Sequence, residues 1–215
     1  MPYANHPSPS DLMKFWDGTG IVCDWVVEPF ASIDLVGKIN SAIAIMESET
    51  SRKFIATIGT RTFDPPTNVN GFLSIGGDLC SDPQYASSIV VTFSGTPMEI
   101  NRNCFLGPEN SDYEGQPWSL IEFDHFVPAI RQRRCISVTG YWGFSRQVPD
   151  DVWQAELSTA ALLMAPEVEL AITNGQAKIE DVTFASGSFT PLSSQMAQWQ
   201  KTFDSVVANK KRVVF

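Results

Sequence analysis

The hydrophobic and polar positions change their spacing along the chain, and this change separates helical parts from a strand-rich part. Between Ser32 and Arg52, apolar residues recur at helical spacing opposite a polar face, which predicts a one-sided surface helix. The apolar stripe consists of Leu35, Val36, Ile39, Ile43 and Met46. Ser32 is the predicted N-cap, because a serine oxygen can accept a hydrogen bond from the free amides of the first turn.

From Phe54 to Gly143 the pattern is that of short strands. Six runs rich in β-branched and aromatic residues are separated by turn signals such as Asn70-Gly71 and Gly76-Gly77-Asp78. The runs are FIATIGTRTF, GFLSI, SIVVTFSG, CFLG, WSLIEF and CISVTGYWG. Strands this short and this frequent predict a small antiparallel sandwich or open barrel between helical parts.

Two further helices follow the strands. One begins at Pro149, with Asp150 and Asp151 in the first turn, where the helix dipole favours acidic side chains, and Pro166 is predicted to end it. Its predicted buried stripe is Trp153, Leu157, Ala160 and Met164. The other opens at Thr190-Pro191 with a narrow apolar seam. The seam consists of Leu192, Met196, Trp199, Phe203 and Val206.

The predicted fold class is therefore α+β, a small helical bundle with an inserted antiparallel β-sandwich or barrel-like domain. Residues 1–31 contain four prolines and isolated aromatic residues, which predicts an irregular N-terminal arm. Residues 32–53 and 144–208 form the predicted helical part, and residues 54–143 the inserted domain. Residues 209–215 are a basic C-terminal tail.

The composition is that of a globular protein, and the charge disfavours a phosphate-binding surface. Of the 215 residues, 43% are hydrophobic and 18% charged, so disorder throughout is not expected. The net charge is −9, whereas a protein that neutralises phosphates carries the opposite balance. No window approaches the roughly 18 apolar residues of a membrane span, and no signal peptide is recognisable. We expect a soluble protein made in the cytoplasm, without membrane partners.

Compact catalytic and cofactor motifs are missing from the sequence. It has no GxSxG, no phosphate-binding loop and no dinucleotide-binding fingerprint. His125 is the only internal histidine, and we expect it to be structural. The four cysteines, Cys23, Cys80, Cys104 and Cys135, form no CxxC pair, which favours reduced buried thiols over a metal site. GGDLCSD, residues 76–82, lacks the alternating oxygen ligands of a calcium loop. The sequence predicts a non-enzyme with no cofactor.

A glycine stands on each side of Tyr141-Trp142, and this arrangement suits either a ligand site or a joint. Glycine fits where the backbone takes a positive φ or passes close to another segment. We interpret Gly140 and Gly143 as a joint that ends the strand abruptly. In this interpretation Trp142 packs against the helix that starts at Pro149.

The order of these parts resembles the head–tail connector, or adaptor, proteins of tailed bacteriophages. In that family a helix ends in an acidic residue and is followed by Arg-x-Phe; the matching residues here are Glu47, Arg52 and Phe54. A strand-rich section with a counterpart at Met98–Asn110 comes next. A V-T-G-x-W-G turn, a Val-Pro and an alanine-rich helix follow, and residues 138–164 carry that pattern. The resemblance spans Ile33–Met164.

The resemblance implies a structural virion protein at the head–tail interface, present in the host cytoplasm during assembly. It implies a ring of copies, twelve-fold in the virion, that lies below the portal protein and extends the DNA channel. The ring would also be the docking surface for neck or tail proteins. DNA would pass without sequence-specific binding, and an acidic chain suits this because a lining that attracts phosphate would hold DNA in place.

The basic end of the chain is the candidate portal contact under this hypothesis. Lys210, Lys211 and Arg212 would meet an acidic portal surface, and Val213, Val214 and Phe215 would add as a strand to an exposed edge. The alternative is a frayed tail. The tryptophans Trp16, Trp25 and Trp199 are candidates for subunit seams.

Three other functions stay open at this point. The first is a neck or tail-completion protein, a stopper or terminator, one layer further from the head. The second is a carbohydrate-binding β-sandwich module with Trp118 and Trp142 as ring platforms. The third is a hydrolase that uses His125.

Overall fold

The structure is a computed structural model and describes residues 6–20, 23–26, 29–66, 71–124, 133–172 and 192–211. Backbone contacts divide the chain into two compact units. We call Arg52–Val148 the β unit. The segments Asn5–Ser51 and Pro149–Arg212 together form the helical unit. In the sequence, the β unit is thus inserted between the two halves of the helical unit.

The regular elements within the described residues are helices α1 to α5, one 3₁₀ turn and strands β1 to β7. The helices are α1 (Pro9–Asp17), α2 (Leu35–Thr50), α3 (Pro83–Ala86), α4 (Asp150–Ile172) and α5 (Leu192–Lys210), and the 3₁₀ turn is Phe30–Ser32. The strands are β1 (Thr57–Phe63), β2 (Phe72–Leu79), β3 (Val90–Phe93), β4 (Thr96–Met98), β5 (Cys104–Gly107), β6 (Trp118–Phe123) and β7 (Ile136–Trp142). Helix α3 belongs to the β unit.

Helix α4 is the centre of the helical unit and packs against α1, α2 and α5. Its buried positions are mostly small, which lets neighbouring helices approach closely; they include Ala155, Ala160, Ala161 and Ala165. The predicted seam of α5 is confirmed, with Trp199 and Val206 buried. In α2 the stripe is confirmed except at Val36, which is 57% exposed. No helix in the described ranges is long and apolar enough to cross a membrane.

The prediction of an irregular arm over residues 1–31 is wrong for Pro9–Asp17, which is α1. Ser8 caps this helix: its side chain accepts a hydrogen bond from the Asp11 amide, and Asp11 in turn accepts from the Ser8 amide. Pro9 is tolerated because a proline in the first turn lacks only an amide that would be unpaired anyway. Leu12 and Trp16 are fully buried, so apolar packing holds α1 in the helical unit.

Two predicted helix boundaries are also wrong. Helix α4 continues through Pro166 to Ile172, and Val168 and Ala171 beyond the proline are buried. Packing of that last part outweighs the lost hydrogen bond of an interior proline. Helix α2 is capped by Asp34, whose carboxylate accepts from the Gly37 amide at 2.8 Å, rather than by Ser32.

The β unit is a seven-stranded antiparallel sheet that curves into a barrel-like form around its core. The strand order is β4-β3-β7-β2-β6-β5, and β1 pairs with β7. Strand β7 is the centre, since it pairs with β1 over its whole length and also with β3 and β2. The core includes Ile75, Leu79, Val91, Ile121, Ile136 and Val138. The predicted α+β fold class with a barrel-like antiparallel domain is confirmed.

Each of the six predicted runs contains a strand. The structure differs from the prediction in the segments between these runs. Strand β4 and helix α3 were not predicted. The predicted turn at Gly76-Gly77-Asp78 instead lies within β2, where the pairing with β6 shifts between Ser74 and Leu79. Gly76 has φ +54°, so its glycine allows a bulge that the strand absorbs without ending.

Candidate functional site

The indole of Trp142 lies in the core of the β unit, where β1 covers it. Its Nε1–H donates a hydrogen bond to the Gly59 carbonyl at 3.0 Å. The Arg61 guanidinium lies 4.0 Å from the ring centroid, which is a cation–π contact, and the Phe63 ring is 6.1 Å away. The prediction that Trp142 packs against the following helix is therefore replaced by packing against β1.

Gly140 and Gly143 both stand where an added side chain would be crowded, by side-chain atoms at Gly140 and by backbone atoms at Gly143. A Cβ at Gly140 would lie 2.9 Å from Leu79 Cδ1. A Cβ at Gly143 would lie 2.5 Å from Ala56 Cα and 2.6 Å from the Ile55 carbonyl oxygen, and Gly143 has φ +153°. The chain after β7 thus runs directly against the segment before β1, and only glycine fits at position 143.

Two of the sequence motifs that carry the family resemblance meet at this joint. Phe144 donates its amide to the Lys53 carbonyl at 2.7 Å, and Ser145 donates to the Phe54 carbonyl at 3.2 Å. The Arg52 guanidinium lies 5.2 Å from the Phe144 ring centroid. Arg52 also pairs with Asp78, at 2.8 Å. We call the residues Arg52–Phe54, Asp78 and Gly143–Ser145 the junction.

The junction ion pair is largely shielded from water, which strengthens its attraction and makes either partner costly to lose. The side chains of Arg52 and Asp78 are 13% and 5% exposed. Charge-assisted hydrogen bonds of this kind are about twice as strong as neutral ones. The rings of Phe54 and Phe144 pack beside it with centroids 6.0 Å apart. The arrangement fixes the backbone where the β unit begins and ends, and it offers no reactive group.

Of the C-terminal candidate residues, one makes an internal contact, one is exposed, and the others lie outside the described residues. Lys210 Nζ lies 3.2 Å from Asp151 Oδ2, so this lysine closes the end of α5 onto the start of α4. Lys211 is exposed. Arg212, Val213, Val214 and Phe215 lie outside the described residues. The Lys210 side chain therefore already has an ion-pair partner within the helical unit.

The tryptophans proposed for subunit seams serve mainly the interior of the helical unit. Trp199 and Trp16 are buried and meet edge to face, with ring centroids 5.3 Å apart. Phe15 lies 5.6 Å from Trp199 on the same cluster. Trp25 is half-buried against Phe30 at 5.9 Å. Trp16 belongs to α1 and Trp199 to α5, and both are buried in this cluster, so neither ring lies on the surface of the helical unit.

A buried acid in α4 was missed by the sequence analysis. The Glu156 side chain is fully buried, and His6 Nδ1 lies 2.9 Å from each of its carboxylate oxygens. Burial raises the pKa of the Glu156 carboxyl, the hydrogen bond and charge of His6 lower it, and Glu47 raises it. Its partner is 150 residues away in sequence, so no local pattern could have indicated this pair.

The other candidate chemistry is not assembled in the described part of the chain. Trp118 and Trp142 are buried, so neither ring can act as a sugar platform, and that role is wrong. The predicted free thiols are confirmed as buried and unpaired. Burial raises the pKa of Cys23 to about 12 and of Cys104 to about 11. The described residues contain no group of three or more side chains suited to a metal. His125 lies outside them.

Charge is distributed unevenly between the two units. The β unit has nine acidic and eight basic residues, so its net charge is −1. The helical unit has fifteen acidic and seven basic residues, so its net charge is −8. Nearly the whole negative charge of the chain therefore belongs to the helical unit.

No protein-family model matches the chain, and no curated protein matches it. It is similar to a chain in the neck of an empty GTA particle with C6 symmetry, at 14% identity and a TM-score of 0.38, covering 92% of this chain and 93% of that one. It is also similar to a chain in the virion of a native gene transfer agent (GTA) particle, at 12% identity and a TM-score of 0.44, over 92% and 93%. A third similarity is to the neck of a native GTA particle with C12 symmetry, at 14% identity and a TM-score of 0.40, over 93% and 94%. TM-scores below 0.5 do not establish a family for the chain.

Proposed function

We propose that this chain is a structural virion protein of the neck, a head–tail adaptor. Copies of it form a ring below the portal, extend the DNA channel and provide the docking surface for neck or tail proteins. A neck or tail-completion protein, one layer further from the head, is the alternative within the same class. Both are assembly roles without catalysis.

The observation that carries the proposal is the junction. Arg52 and Phe54 match one motif of the adaptor family, and residues 138–143 match another, with more than eighty residues between them. Phe144, the residue directly after the second motif, donates its amide to the carbonyl of Lys53 in the first motif at 2.7 Å. This contact supports the two motifs as parts of one structural feature.

The charge distribution supports the same proposal. DNA in a channel carries one negative charge for each ~1.7 Å of its axis, so a neutral or acidic lining does not retain it. The helical unit has a net charge of −8 and can supply such a lining. The β unit is nearly neutral and is free to serve contacts between proteins.

Electron microscopy of the purified chain, alone and mixed with portal-bearing heads, tests the proposal. We expect rings with a central channel, seated on the portal vertex. A truncated chain that ends at Lys211 should fold and keep the ion pair between Lys210 and Asp151. It should attach less to heads, since it lacks Arg212–Phe215. Lys210→Ala, which removes that ion pair and keeps the tail, is the matched control and should still attach. Particles that retain their genome and bind tails without this protein would contradict the proposal.

A further inference from the structure

One outer face of the β unit consists of uncharged side chains on four neighbouring strands. Cross-strand pairing arranges them in three rows. The rows are Ile58 and Tyr141; Thr60, Thr139 and Val90; and Thr62, Ser137, Thr92 and Pro97. None of these nine side chains is charged. We call this set the uncharged face.

Alternation along the strands shows that this face points away from the core. Ile136 and Val138 are fully buried, and the residues between and beside them on β7 point to the opposite side. Ile58 is 66% exposed and Val90 46%, so two large apolar side chains lie on the surface of this face. Because these two aliphatic side chains lie on a face without charged residues, the face is a candidate contact surface.

The polar groups of the uncharged face are already partly paired, which lowers the cost of covering them. The hydroxyls of Thr60 and Thr139 lie 2.8 Å apart and bond to each other. The Tyr141 ring is stacked on Tyr85, with centroids 3.7 Å apart and planes 6° apart. Preorganised side chains lose little freedom on binding, and paired hydroxyls lose few water contacts.

We infer that the uncharged face receives a neighbouring copy of this same chain, an inference that rests on the proposed ring. Charge favours this face for a contact between copies. Two copies of a chain with net charge −9 repel each other, and −8 of that charge belongs to the helical unit. Contact through a nearly neutral unit, on a face without charges, minimises that repulsion.

The size of the face predicts the strength and kind of contact. Strands lie about 4.8 Å apart and alternate residues about 6.8 Å apart, so the nine positions of the face cover roughly 300 Å². A stable pair buries about 800 Å² on each partner. The face is therefore one part of a larger contact, and isolated copies associate weakly. In a ring the contact is heterologous, so the neighbour presents a different surface.

Sedimentation velocity over a wide concentration range tests the inference. For the wild-type chain, we expect the mean sedimentation coefficient to rise with concentration. Ile58→Lys should keep it at the monomer value, because the lysine charge must be desolvated in the contact. Val36→Lys is the matched control: Val36 is 57% exposed on α2, and the charge change is identical. The control should associate like the wild type, and far-UV circular dichroism checks that all three chains fold.

Mixing the chains tests the direction of the contact. In a heterologous contact, the uncharged face of one copy binds a different surface of the next copy, and Ile58→Lys leaves that different surface intact. This variant should therefore bind to one end of a wild-type assembly, prevent further growth there and give shorter assemblies. A variant that stays apart from the wild type in the mixture would overturn the heterologous contact.

Three other outcomes would also count against the inference. Ile58→Lys associating like the wild type would remove this face as the contact and leave the proposed ring in place. A wild-type chain that remains monomeric at every concentration would contradict the inference. If rings were also absent from portal-bearing heads, the proposed function would be contradicted as well. Normal self-association of Ile58→Lys with lost attachment to heads would assign the face to the portal.

Discussion

The β unit and the helical unit differ in charge and in the contacts that hold them. The β unit balances nine acidic residues with eight basic ones, and its main ion pair, Arg52–Asp78, is shielded at the junction. The helical unit carries fifteen acidic residues against seven basic ones. Its ion pairs Lys38–Glu167 and Lys210–Asp151 are partly exposed, and the net charge of the unit is −8.

The two units also differ in what fixes the backbone. In the β unit, a close approach of main chain to main chain at Gly143 sets where the sheet ends. In the helical unit, side-chain packing around α4 and the buried pair His6–Glu156 hold segments that are distant in sequence. A backbone constraint is intolerant of any added atom, whereas side-chain packing allows partial repair. Substitutions should therefore cost most at the junction.

The largest effect is expected from Gly143→Ala. Its Cβ would lie 2.5 to 2.7 Å from backbone atoms of Ile55 and Ala56, at a φ of +153° that side chains rarely adopt. Backbone atoms cannot move aside as a side chain can, so the segment must separate. We expect a loss of about 3 kcal/mol in the free energy of unfolding, measured by urea denaturation.

Gly95→Ala is the control for this substitution. Gly95 also has a positive φ, +83°, but a Cβ there would meet nothing within 4 Å. It should lose only about 1 kcal/mol, the cost of the backbone conformation alone. Equal losses at both positions would mean that the close approach at the junction contributes nothing, and that the two units are held in the same way.

Six of the seven strands of the β unit could be predicted because each of the six is marked by its own residues. Runs such as WSLIEF and CISVTGYWG show alternation over a few positions, and Gly140 and Gly143 mark the close approaches near the end of β7. What covers Trp142 could not be predicted. The ring is closed in by Arg61 and Gly59 on a strand some eighty residues earlier, and strand pairing is not encoded in either segment alone.

The helical unit was predicted less well, because packing overrides local rules there. Pro166 normally ends a helix, yet the buried Val168 and Ala171 carry α4 past it. Prolines near the N-terminus suggested an irregular arm, yet Pro9 occupies the first turn of α1, where proline is favourable. Glu156 is an acid within the buried part of α4, and its contact with His6 makes this burial tolerable.

The next largest effect is expected from His6→Ala. The substitution leaves the fully buried Glu156 carboxylate without the histidine that contacts both of its oxygens at 2.9 Å. An unsatisfied buried acid is costly, although His6 itself is 21% exposed, so water can replace part of the contact. We expect a loss of about 2 kcal/mol in the free energy of unfolding, seen as a lower urea midpoint.

A double-mutant cycle with Glu156→Gln separates the pair from other effects. Glutamine keeps the shape of the side chain and removes the charge, so His6→Ala should cost much less in the Glu156→Gln background than in the wild type. Equal costs in both backgrounds would show that His6 acts through packing alone. The helical unit would then lack the long-range polar contact that distinguishes it from the β unit.

The smallest effect, and a gain, is expected from Pro166→Ala. Pro166 is exposed within α4 and lacks the amide that would bond to the preceding turn. Alanine restores that bond, while the more flexible unfolded chain offsets part of the benefit, so we expect a gain of about 1 kcal/mol. Pro149→Ala is the control, because Pro149 directly precedes α4 and no helical bond requires its amide; it should change the urea midpoint little. A loss of stability in Pro166→Ala would mean that the proline shapes the end of α4 instead of being tolerated there. The end of α4 would then be set by its backbone, as the end of the sheet is in the β unit.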